Sequence, residues 1–133
     1  METRSFTAIE GTFDAHYGLE ILDTAEDEVR GQLLIQPHHK QPAGLLHGGV
    51  LASMAEALAS MATFVAVASE GKAAMGMSNA TTFMRPITEG TVHAVARPRH
   101  RGRTTWVWDV DFSDDAGRLC ATTRMTIAVR EVG

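Results

Sequence analysis

The 133-residue sequence has a single cysteine, Cys120. No internal disulfide can form, and nothing calls for an oxidising compartment. Aromatic residues make up 6% of the chain, and none interleaves with the arginines at 85, 97, 99, 101 and 103. Single-stranded nucleic acid is usually held by such alternation of cation and stacking platform. The formal net charge of -4 argues against general nucleic-acid binding as well. No spacing of His, Cys and acids matches a metal site, so no metal is expected. The opening stretch "METRSFTAIEGTFDAHYG" has no apolar core and no small-residue cleavage pattern. The expected location is cytoplasmic.

What the chain does have is the run "HGGVLASMAEALASMATFVAV", His47 to Val67, with one acid inside it, Glu56. Val50 to Ser69 is long enough to span a bilayer. A carboxylate near its centre would cost several kcal/mol there without a partner. The run is also rich in Ala and Ser, so it reads as the buried helix of a globular fold, with no membrane partner.

The length suits one domain covering 1–133. A short helix is expected over Ser5 to Asp14, then strands at Leu19 to Leu22 and Val29 to Gln36. "PHHKQPAG" is a loop marked by Pro37, Pro42 and Gly44. A helix from about Val50 to Ala68 follows, with Gly71 as its C-terminal stop. The remainder is strand-like. Trp106, Trp108, Val110 and Phe112 share one face, as do Leu119, Ala121, Thr123, Met125, Ile127 and Val129, with "SDDAGR" as the hairpin between them. Strands, one long helix and an antiparallel meander make an α+β fold, a curved antiparallel sheet against one helix. A helix apolar on nearly every side must be covered on nearly every side. Either its own sheet wraps it or a second subunit packs nearby.

The candidate site gathers around Glu56. Ser60 lies one turn on and shares its face, where it either orients a carboxylate or water or bonds back to the preceding turn. Gly48 and Gly49 stand where the helix begins. Unpaired N–H groups there suit an anionic oxygen, including one that develops during attack on a carbonyl. His47 precedes them as a proton carrier or, preferably, as a brace for the loop. Gly48 and Glu56 are eight residues apart, about 12 Å of helix. One carbonyl reaches both only at full stretch. Two antiparallel copies of the helix remove the difficulty, so the site is expected to be shared between subunits.

"GLLHGGVLASMAE", "NATTFMRPITEG" and "RTTWVWDVDFSDDAGRLCATTRMTIAV" resemble the hotdog-fold acyl-CoA thioesterases. The likeness is greatest to the 4-hydroxybenzoyl-CoA thioesterase type with a helix glutamate. "KQPAGLLHGG" is also similar to the dihydroxynaphthoyl-CoA thioesterases. The resemblance implies a sheet wrapped around the long helix, in homodimers that usually pair into homotetramers. It implies Glu56 as nucleophile or general base, Gly48 N–H polarising the thioester carbonyl, and His47 supporting that loop. Gln41 would help hold the reacting groups and Ser60 the water. Arg85, Arg103 and Thr104 would meet the coenzyme A part of the substrate, and no separate cofactor is implied. Met61 stands where relatives acting on hydroxybenzoyl groups can carry an acid. A hotdog dehydratase and a non-catalytic acyl-CoA-binding protein are the competing expectations.

Overall fold

The computed structural model describes residues 5–25 and 27–132. Its elements in chain order are β1 (Ser5–Thr7), α1 (Phe13–Tyr17), β2 (Glu20–Ala25), β3 (Glu28–Leu34), α2 (Gly48–Val67), β4 (Lys72–Phe83), β5 (Thr91–Arg101), β6 (Thr105–Ser113) and β7 (Leu119–Glu131). The seven strands form one antiparallel sheet in the order β1-β2-β3-β5-β6-β7-β4. This is the α+β hotdog arrangement, a curved sheet around one long helix.

The helix expected over Ser5 to Asp14 is a correction. Ser5–Thr7 is a strand, and the helix runs from Phe13 to Tyr17. Gly11 takes a left-handed φ of 84°, which breaks the segment between them. Thr12 then caps the helix, accepting the Ala15 N–H on Oγ1 at 3.4 Å. Helix α2 begins at Gly48, two residues before the expected start.

Period two places the β6 face correctly: Trp108, Val110 and Phe112 are buried and Trp106 is partly buried. On β7, Ala121, Thr123, Met125, Ile127 and Val129 are buried as the alternation requires. Leu119 is the exception at 48% exposed. The β6–β7 register shifts between Phe112 and Ser113, and this bulge puts Leu119 off the core face.

One side of α2 lies on the sheet. Met54, Ala55, Leu58 and Ala59 are fully buried, and Leu58 presses on Gly31, where a Cβ would stand 3.0 Å from Leu58 Cδ2. Thr63 Oγ1 donates to Ala59 O and accepts from Trp108 Nε1, both at 2.8 Å, so the polar groups on this side are paired. The segment Gly48–Glu70 is long and apolar enough to cross a membrane by length and composition, yet here it is the core helix of the fold. Its far side stays uncovered by the described residues: Phe64 and Val65 are 48% and 69% exposed.

Strand β4 pairs with β7 and closes the sheet at one edge. It runs back along α2, so Gly76 lies beside Glu56, Asn79 Nδ2 donates to Ala52 O at 2.9 Å, and Phe83 lies over Gly48. Met75, Met77, Phe83 and Met84 are all more than half exposed along this edge.

Candidate active site

The loop leading to α2 is fixed by its own polar groups. His39 is buried; its Nδ1 accepts the Gln36 N–H at 2.9 Å, and Nε2 lies 2.7 Å from Tyr17 O. With Nδ1 as acceptor, Nε2 carries the proton and donates. Gln41 turns the chain: its side-chain oxygen accepts from the Ala43 N–H, and its backbone N–H donates to Leu45 O at 2.8 Å. His47 is the N-cap of α2, its Nδ1 accepting the Gly49 N–H at 2.8 Å. That bond ties the His47 ring to the first turn of the helix. It also fixes residue 49 as glycine, because a Cβ there would stand 2.9 Å from Nδ1.

The Gly48 N–H has no hydrogen-bond partner among the described residues. It sits at the positive end of a 20-residue helix. The closest neighbour of Gly48 is the ring of Phe83, 2.6 Å from where a Cβ would lie. Gly48, Gln41, Leu51, Phe83, Arg85 and Cys120 border a cavity of about 410 Å³. Burial pushes the Cys120 thiol above its ordinary range, which leaves it a poor nucleophile.

Glu56 lies in a second cavity, of about 420 Å³, with Phe13, Asp14, Ser53, Ser60 and Met61. Its carboxylate is exposed and has no hydrogen bond or ion pair among the described residues. Oε1 approaches the backbone of Gly76, where a Cβ would stand at 2.7 Å. Ser60 Oγ is buried and has no partner among the described residues. The alternative for Ser60, a bond back to the preceding turn, is therefore absent, although Ser53 and Thr63 on the same helix make it to Gly49 O and Ala59 O.

Within one chain the structure brings Gln41, Gly48 and Arg85 together, and separately Glu56 and Ser60. It does not bring Arg103 and Thr104 to Arg85. They form the β5–β6 hairpin, where Thr104 O accepts from Val129 N–H and Arg130 Nη1. That end of β7 pairs with Lys72, the first residue of β4, whereas Arg85 follows its last. The twelve residues of β4 separate them by about 40 Å. Arg97, Arg99 and Arg101 pair with Glu28, Asp109 and Asp27 on the sheet, the surface-charge role. Arg85 and Arg103 have no carboxylate partner among the described residues.

Sequence reasoning missed the contribution of α1. Phe13 and Asp14 wall the Glu56 cavity, and Tyr17 packs behind them with its ring 5.1 Å from that of Phe13. The Tyr17 hydroxyl is buried beside the Asp14 carboxylate. Burial, reinforced by the Asp14 and Glu56 carboxylates, pushes its phenol well above the usual value. Only the missing Cβ of Gly76 signalled a close approach in β4. No group of three or more His, Cys, Asp or Glu side chains could hold a metal among the described residues.

Known proteins place this geometry. Residues 43–121 match the family model described as the thioesterase superfamily. The chain is 33% identical over 129 residues to the proofreading thioesterase EntH of Cronobacter turicensis, covering 97% of this chain and 93% of that one. Thioesterase HI1161 of Haemophilus influenzae superposes with a TM-score of 0.87 at 32% identity, over 92% of this chain and 85% of that one. A thioesterase of Staphylococcus aureus, solved with a glutamine replaced by alanine, superposes with a TM-score of 0.79 at 27% identity over 84% and 93%. The match spans both the loop that carries Gly48 and the helix that carries Glu56. The chain belongs to the thioesterase superfamily, and it is a hotdog-fold thioester hydrolase.

Proposed function

We propose that the chain hydrolyses an aromatic acyl-CoA thioester, of the hydroxybenzoyl-CoA kind, to the free acid and coenzyme A. The site is shared between subunits: Glu56 of one copy works opposite Gly48 of another. One observation carries this reading. The donor at Gly48 and the carboxylate of Glu56, both unpartnered among the described residues, lie in two different cavities of one chain, eight residues apart on one helix. Each cavity holds half of what a thioesterase needs. The apolar, unpaired edge of β4 beside both gives a second copy somewhere to add.

In this mechanism Glu56 attacks the thioester carbonyl directly or takes the proton of an attacking water. The carbonyl oxygen becomes an oxyanion that receives the Gly48 N–H at the helix terminus. Gln41 holds the acyl group against that donor, and Ser60 offers its free hydroxyl to the water or carboxylate. His47 keeps the loop in place. Collapse expels coenzyme A as thiolate, an easy leaving group with a pKa of about 8.5, so no strong general acid is needed; on the direct route this leaves the acyl group on Glu56 as an anhydride, which water then cleaves to the free acid and the regenerated carboxylate. Phe13 and Phe83 supply ring contacts at the two cavities. Arg85 of one copy and Arg103 with Thr104 of another meet the coenzyme A phosphates, and the working form is a dimer or a dimer of dimers. Two observations support these assignments. Among the described residues, Arg85 and Arg103 are free of the carboxylates that occupy their neighbours. The Staphylococcus aureus protein was solved with a glutamine and, separately, a glutamate replaced by alanine, fifteen residues apart, the spacing of Gln41 and Glu56.

The test is thiol release from benzoyl-, hydroxybenzoyl-, dihydroxynaphthoyl-, phenylacetyl- and octanoyl-CoA, followed by subunit mixing. Gln41→Ala and Glu56→Ala are each expected to be nearly inactive. Mixed after dissociation and reassembly, they regain activity, because one site of each heterodimer then has both wild-type residues. No recovery in verified heterodimers would place the whole site in one chain. No thiol release by the wild type from any substrate would end the reading.

A further inference from the structure

A third cavity, of about 410 Å³, lies further along α2, between the helix and strands β2, β3 and β6. Its walls are Val29, Met61, Ala62, Val65, Trp106 and Trp108. The two indole rings stack 6.1 Å apart. Its one charged wall residue among the described residues, Arg101, lies 5.5 Å over the Trp106 ring and pairs with Asp27 at 2.7 Å, so its charge is already engaged. The lining suits an apolar ligand.

The position of this cavity identifies the ligand. Met61 borders it and also borders the cavity of Glu56. On α2, Ser53, Ala57, Met61 and Val65 follow at four-residue spacing, which is one continuous row on a helix. The first three line the Glu56 cavity and the last two line the tryptophan cavity. A group leaving the Glu56 site along this row passes Met61, a flexible and unbranched side chain, and arrives against the indoles. Glu56 to Val65 is nine residues, roughly 13 Å of helix. That is further than a single ring attached to the reacting carbonyl can extend.

We propose that this compartment receives the distal, apolar end of an elongated acyl group whose thioester carbonyl is held at Glu56, with Met61 as the constriction and Trp106, Trp108 and Val65 as specificity-determining residues. The inference rests on the thioesterase reading of the Glu56 site but departs from the hydroxybenzoyl choice of acyl group, because a single ring held at Glu56 would leave this compartment unfilled. Each methylene buried there adds about 0.8 kcal/mol to transition-state binding, close to fourfold in kcat/KM.

The experiment measures kcat/KM by thiol release for butyryl-, octanoyl- and dodecanoyl-CoA, together with benzoyl-CoA, in wild type, Ala62→Phe and Val65→Phe. Both substitutions fill the compartment from the helix side. Val65 is largely exposed, so its variant folds even where Ala62→Phe does not. The expected result is a wild-type dodecanoyl-to-butyryl ratio above about tenfold, falling at least about tenfold in either folded variant. A wild type that turns over butyryl- or benzoyl-CoA with no advantage for the longer chains overturns this inference and leaves the thioesterase reading standing. So does a ratio unchanged in the variants, including a case where Val65→Phe alters only the oligomeric state. A wild type that releases no thiol from any substrate overturns both.

Discussion

The two sides of α2 make opposite uses of the same residue types. Toward the sheet, Thr63 accepts from Trp108 and donates to Ala59 O, and Met54, Ala55, Leu58 and Ala59 have no exposed surface. Toward the cavity, Ser60 Oγ is buried with no partner, and Glu56 has no hydrogen bond or ion pair among the described residues. A hydroxyl left unpaired in one place and paired one turn away, on one helix, separates the two roles. The sheet side spends its polar groups on stability, whereas the cavity side, with Ser53 tied back to Gly49 O, leaves Ser60 and Glu56 available for a substrate or water.

Damage to each side of α2 is expected to move a different property. Leu58→Ala leaves a hole on the fully packed side and is expected to lower unfolding free energy by about 2–5 kcal/mol, read by denaturant titration. Glu56→Gln, on the other side, is expected to lower kcat/KM by at least about a hundredfold, with an unchanged or raised midpoint of thermal unfolding. A Glu56→Gln variant that loses stability and keeps its turnover would invert the assignment of the two faces.

The paired hydroxyls sharpen it further. Thr63→Val strands the buried Trp108 N–H and is expected to cost about 1–3 kcal/mol, with turnover following only the folded fraction. Ser60→Ala removes a hydroxyl that no partner satisfies, so its stability holds or rises slightly, while kcat/KM falls about tenfold or more. Equal stability losses in the two variants would show that Ser60 is a structural hydroxyl after all.

Much of the division between the faces was legible in the sequence. Period two put Trp108, Val110 and Phe112 on the core face, and a lone acid in an apolar helix marked Glu56. What stayed hidden depended on contacts between distant segments. The exposure of Leu119 follows from a register shift that no local pattern encodes. Helix α1 is five residues long, too short for periodicity to define, so Phe13, Asp14 and Tyr17 gave no sign that they would back the glutamate. The arginines at 97, 99, 101 and 103 look alike in sequence. Only the sheet register gives three of them carboxylates and, among the described residues, leaves Arg103 without one.

The smallest expected effect concerns Tyr17, the one tyrosine of the chain. Burial raises its phenol pKa, and the Asp14 and Glu56 carboxylates raise it further. The unfolded chain ionises near the ordinary value of about 10. The folded chain still holds its proton there, so the unfolded state binds fewer protons and stability falls as pH rises. The contribution is full below about pH 10 and is lost above it, at up to about 1.4 kcal/mol per pH unit. Tyr17→Phe removes this slope. Its unfolding midpoint should track the wild type at pH 8 and exceed it increasingly by pH 11, while the wild type shows phenolate absorbance only as it unfolds. A phenol that titrates freely in the folded protein near pH 10 would mean that the hydroxyl reaches solvent, and that α1 does not close off the back of the Glu56 cavity.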